Sequence, residues 1–107
     1  MPREFRNIYF TENELKIALM QFSARKKVIF KVDNINEINI QTENPISVAL
    51  KVFDVESNQL GAIKYSNAEV AAALMGYCMY LKIPLPKNGK KSIQAKDGSL
   101  LLNIRME

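Results

Sequence analysis

The 107-residue sequence contains no histidine and a single cysteine, Cys78. The first absence removes the commonest general base and the commonest metal ligand, so Ser-His-Asp and Cys-His machinery are excluded. The second leaves no intrachain disulfide and too few ligands for structural zinc. The sequence also lacks an Asn-x-Ser/Thr acceptor, so a reducing, cytoplasmic setting is the expectation. The N-terminal MPREFRNIYF has neither the apolar segment nor the small-residue cleavage site of a secretory signal. The longest apolar run, Val70–Leu81, is too short to cross a bilayer, and no membrane association is expected.

What remains offers little for catalysis. Cys78 sits among apolar neighbours in a helical pattern, where a thiol is inert rather than nucleophilic. Glu12 and Glu14 are two residues apart and point to different sides of a helix. The segment Lys87-Asn88-Gly89-Lys90-Lys91-Ser92 resembles the end of a phosphate loop, but the required upstream glycine position holds Pro84. It also precedes a strand pattern rather than a helix N-terminus. The expectation is a non-enzyme with no cofactor and no metal.

What is present is a repeat. Thr11–Val28 and Ser66–Ile83 align without a gap at an offset of 55 residues. Thr11 falls on Ser66 and Glu14 on Glu69, the hydroxyl and carboxylate of a reciprocal helix cap. Behind the caps, Leu15, Ala18, Leu19 and Phe22 fall on Val70, Ala73, Leu74 and Tyr77, a core-facing helical stripe in both copies. Lys27 and Val28 fall on Lys82 and Ile83. The spacing predicts helices over 11–25 and 66–82, the second ended by Pro84 and Pro86.

The remainder reads as strands over 4–10, 28–32, 37–41, 46–55, 60–65, 91–96 and 99–105. Alternation is clearest where Ile46, Val48, Leu50 and Val52 interleave with Ser47, Ala49 and Lys51. Glu56–Gln59 makes a hairpin loop, and Asp97-Gly98 is a two-residue turn signal. At this length one domain is expected, spanning 1–107 with a duplication over about 4–55 and 60–107. The fold class is α+β: an antiparallel sheet with two helices on one side, in two pseudo-symmetric strand-helix-hairpin halves.

The second helix is apolar nearly all round, and such a helix must be buried nearly all round. In so small a domain some of that surface is left over, and an exposed apolar patch marks an interface. The expected partner is a second copy of the chain, in a homodimer packed through Ala71, Met75, Cys78, Met79 and Tyr80. Gly76 and the neighbouring alanines would admit a close approach. A protein-interaction or regulatory module that self-associates through this helix is the leading reading of function.

Charge supports an alternative. The formal net charge is +4, and it is unevenly placed. Between Asp33 and Glu56 five acids face one lysine, whereas Lys82–Lys96 holds five lysines and no acid. Lys82, Lys87, Lys90 and Lys91, with Arg25, Lys26 and Lys27 at the end of the first helix, are candidate contacts to phosphates of a nucleic acid. No aromatic is interleaved with these lysines in sequence, and this reading ranks below the first.

Overall fold

The computed structural model describes residues 4–86, 89–97 and 99–106, without the side chains of Glu4 and Met106. Strand β1 (Glu4–Phe10) leads through Thr11 into helix α1 (Glu12–Arg25). A single 3-10 turn over Val32–Asn34 precedes β2 (Ile35–Gln41), β3 (Ser47–Asp54) and β4 (Gln59–Tyr65). Helix α2 (Asn67–Tyr80), β5 (Lys90–Lys96) and β6 (Ser99–Met106) complete the chain.

Both helices start and stop by the same local chemistry. Thr11 Oγ1 accepts the Glu14 N–H at 3.1 Å while Glu14 Oε1 accepts the Thr11 N–H at 2.9 Å. Ser66 and Glu69 exchange the equivalent pair at 3.3 and 3.0 Å. Each cap satisfies donors that the first helical turn leaves without a carbonyl. At the other end, the Val28 N–H donates to the Ser23 carbonyl and the Lys27 N–H to the Ala24 carbonyl. Ile83 and Lys82 donate likewise to Cys78 and Met79, so both helices close with a Schellman motif.

That motif requires a left-handed residue, and here a lysine supplies it twice, with φ of 65° at Lys27 and 60° at Lys82. A side chain with a Cβ resists this conformation by roughly 1–2 kcal/mol, part of which glycine gives back through its freer unfolded state. Lys27→Gly and Lys82→Gly are each expected to stabilise the protein by about 0.5–1 kcal/mol. The reading is a raised urea midpoint at unchanged slope. An unchanged or lowered midpoint would mean that the lysine side chain contributes more than its backbone conformation costs.

The strands form two antiparallel sheets of three, in the orders β1-β6-β5 and β2-β3-β4. This corrects the expectation of one sheet. The second is a continuous meander, whereas the first joins the N-terminal strand to the C-terminal hairpin, with Glu4 opposite Met106 and Phe10 opposite Leu100. Each helix links a strand of one sheet to a strand of the other. One hydrophobic cluster spans both. Val48, Leu50 and Val52 from β3 meet Leu15 and Leu19 of α1, Val70 and Leu74 of α2, and Leu100, Leu102 and Ile104 of β6.

The strand expected over 28–32 does not form. The Schellman turn redirects the chain at Lys27, after which the Asn34 side chain accepts the Lys31 N–H at 3.0 Å. The Asn34 N–H returns to the Lys31 carbonyl at 2.9 Å. These local bonds satisfy backbone groups that a strand would present to a neighbour, and Ile29 is left 83 % exposed. At the β5–β6 connection Lys96 pairs with Ser99 across the expected turn, with Asp97 at a φ of 52°; its Gly98 lies outside the described residues.

β1, α1 and β2 correspond to β4, α2 and β5 at an offset of 55 residues at both ends of every element. β3 and β6 correspond at 52, because the loop before β6 is three residues shorter. Under this correspondence β1 on β6 has the register of β4 on β3. The aromatic pair Phe10–Tyr77, centroids 6.4 Å apart, corresponds to Tyr65–Phe22 at 6.3 Å.

Candidate functional site

Three surfaces carry the candidate residues. The first is the C-terminal end of α2. Its inner side follows the helical stripe Val70, Ala73, Leu74 and Tyr77 into the core, and the chain then runs out of neighbours. Met79 is 71 % exposed and Tyr80 68 %, with Leu81 beside them. Tyr80 is held in place by stacking on the buried Tyr77, with ring centroids 6.3 Å apart and planes 19° from parallel. Burial pushes the Tyr77 hydroxyl pKa up, with Glu14 adding to the effect.

Ala71 and Met75 are half-buried at the edge of the core cluster. Cys78 is a core cysteine, as its apolar neighbours imply, and so stands apart from the other residues of the expected interface. It is fully buried and offers no surface, since it lies four residues after Leu74 on the inward stripe. Burial raises its thiol pKa, with Arg6 opposing the shift and Glu14 adding to it. Gly76 faces the Arg25 side chain of α1. A methyl group there would meet the Arg25 guanidinium, the far end of an exposed side chain.

The second surface comprises the basic residues at the helix ends, and the fold disperses them. Arg25 lies against Gly76 and 5.8 Å from the Phe22 ring centre. Lys26 binds Glu69 at 3.3 Å and sits 4.6 Å from the same ring. The Glu69 carboxyl is held below the usual carboxylate range, first by the Ser66 N–H and then by Lys26. Lys27 and Lys82 occupy the left-handed caps. Lys91 turns to the inner face and donates to the Gly89 carbonyl at 3.4 Å. Lys87 lies outside the described residues. Lys90 faces outward from β5.

The third surface was hidden from the sequence. On the outer face of β1-β6-β5, cross-strand register aligns Phe5 with Arg105 and Lys90, then Asn7 with Asn103 and Ser92, then Tyr9 with Leu101 and Gln94. The Arg105 guanidinium carbon lies 5.7 Å from the Phe5 ring centre, and Asn103 Nδ2 donates to Asn7 Oδ1 at 2.7 Å. Leu101 is buried yet stands apart from the core cluster, which places it on this outer side. Lys96 follows Gln94 on the same face of β5.

Comparison with protein-family models, curated proteins and solved structures finds no match. The reading of these surfaces therefore rests on their own chemistry.

Ser23 and Tyr65 share a buried hydrogen bond of 2.6 Å that ties α1 to β4. Burial pushes the Tyr65 pKa up. Tyr65 and Glu69 border a groove of about 640 Å³ with Asn39, Ser47 and Lys64, where Glu69 is already occupied by its cap and Lys26. Among the described residues no cluster of three acidic or cysteine side chains is close enough to hold a metal ion, and no helix is long and apolar enough to cross a membrane.

Proposed function

We propose that this chain is a non-catalytic, cytoplasmic interaction module that self-associates as a homodimer around the end of α2, and that it is built from two duplicated strand-helix-hairpin units. The observation that carries the self-association reading is the Tyr80–Met79–Leu81 surface. Its aromatic ring is pre-positioned by stacking on Tyr77, and its apolar area is exposed to water. A fixed aromatic beside aliphatic neighbours is the kind of anchor that dominates interfaces. A twofold arrangement sets this surface against its own copy. The buried thiol of Cys78 suits a reducing compartment.

Support for duplication comes from agreement at several levels: element bounds, strand register, both capping boxes and both Schellman caps. The buried pair Ser23 and Tyr65 corresponds, at the same offset, to Cys78 and Phe10. A hydrogen-bonded contact between the two units thus stands where the equivalent contact, with the units exchanged, is made by two less polar residues.

Sedimentation equilibrium tests the dimer. The wild type is expected at twice the 12.2 kDa chain mass. Tyr80→Glu and Met79→Lys are each expected to weaken association about 30-fold, the effect of losing roughly 2 kcal/mol at an interface anchor. A wild type that sediments as one chain at every concentration would overturn the reading. So would a dimer indifferent to both substitutions.

A further inference from the structure

We infer that the outer face of β1-β6-β5 binds single-stranded nucleic acid, with Phe5 and Tyr9 as stacking platforms and Lys90 and Lys96 as phosphate contacts. This surface is separate from the α2 surface and does not depend on self-association. Phe5 and Tyr9 are 59 % and 54 % exposed on one face of a single strand, four residues and hence roughly 13 Å apart. Both lie on the side of the sheet away from the core, where Phe5 carries the Arg105 guanidinium and Tyr9 lies beside the buried Leu101, and each still leaves about half of its surface open.

Between them lies the Asn7–Asn103 amide pair, in which the buried Asn103 donates to Asn7 Oδ1 and holds the exposed Asn7 amide where it can meet a base edge. Lys90 and Lys96 are exposed at opposite ends of β5. None of the register positions on this face holds an acid. Stacking residues flanked by cations, with hydrogen-bonding amides between, are what an unpaired strand requires. The bases need π-faces, and the backbone needs positive charge.

The corresponding face of β2-β3-β4 serves as an internal contrast. There Lys51 is paired with Glu37 at 3.2 Å, and Phe53 is the lone aromatic along β3. Charge complementarity with a polyanion therefore selects the first sheet over the second. A double-stranded ligand does not suit the site, because its bases are already stacked and unavailable to Phe5 and Tyr9.

Fluorescence anisotropy with labelled dT12 and rU12 tests this on the full chain. Binding is expected at low salt and should weaken about 25-fold for each tenfold rise in salt, as for two phosphate contacts on a single strand. Phe5→Ala and Tyr9→Ala should each weaken binding about tenfold, whereas Tyr9→Phe should retain it, because stacking needs the ring and not the hydroxyl. Lys90→Ala combined with Lys96→Ala should flatten the salt dependence. That variant keeps the test decisive if an aromatic substitution perturbs folding, which circular dichroism monitors.

Absence of binding at low salt overturns the inference. It is equally overturned by binding that survives the aromatic and lysine substitutions, or by equal affinity for a duplex of the same length. Capture by phosphatidylglycerol vesicles without oligonucleotide binding would instead assign the face to anionic lipid.

Discussion

Leu102→Ala is expected to lower stability by about 2–5 kcal/mol, a large part of the 5–15 kcal/mol typical of a domain this size. Leu102 has no exposed surface and lies in the central strand of its sheet, between Ile8 on β1 and Ile93 on β5. Its side chain belongs to the one cluster that contains α1, α2 and both sheets. Truncation both removes buried apolar surface and leaves a cavity in the shared core. The measurable result is a urea midpoint that falls at constant slope, with a melting temperature lower by roughly 4–8 °C for each kcal/mol lost. Leu60→Ala, on the exposed outer face of β4, should change stability by no more than about 0.5 kcal/mol. Similar small losses for both would mean that β6 does not sit at the centre of a shared core.

Features set by neighbours in sequence were the legible ones. The caps at Thr11–Glu14 and Ser66–Glu69 span three residues each, and both form as their residue types dictate. The stripes Leu15, Ala18, Leu19 and Val70, Ala73, Leu74, Tyr77 are buried because helical spacing alone puts them on one side. The α+β class, the antiparallel pairing and the two helices follow from the same local signals. Helical spacing also contains the position of Cys78, eight residues after Val70 and four after Leu74, which makes it a core residue rather than part of an outer interface.

Features decided by distant partners were not legible. Periodicity marks 4–10 as a strand but does not reveal that its neighbour is Ser99–Met106. The lysines of 82–91 read as one cluster along the chain. In the fold, strand alternation sends Lys90 outward and Lys91 inward, while Lys82 is used as a cap. The same long-range pairing puts Phe5 and Tyr9 beside Lys90 and Arg105, so an aromatic and basic face arises from segments some eighty residues apart. Val28–Val32 has strand composition but no strand, because Asn34 satisfies the backbone locally.

This pairing also has a mechanical consequence. If the chain is divided in the exposed Val55–Asn58 loop, the first piece carries β1, α1, β2 and β3 and the second β4, α2, β5 and β6. Each sheet then takes two strands from one piece and one from the other, since β1 lies on β6 and β4 on β3. The two helices pack together with Arg25 against Gly76 and Lys26 bound to Glu69. Neither piece retains a complete sheet, and a two-stranded remnant is marginal in water.

The most direct measurement is therefore to place a specific protease site in that loop, cleave the folded protein and follow mass and thermal unfolding. The exchanged-strand arrangement predicts that the cleaved pieces stay together in a native-like particle. It further predicts that they unfold in one transition, and that each loses its structure when separated from the other. Two pieces that part without denaturant and melt independently would contradict it.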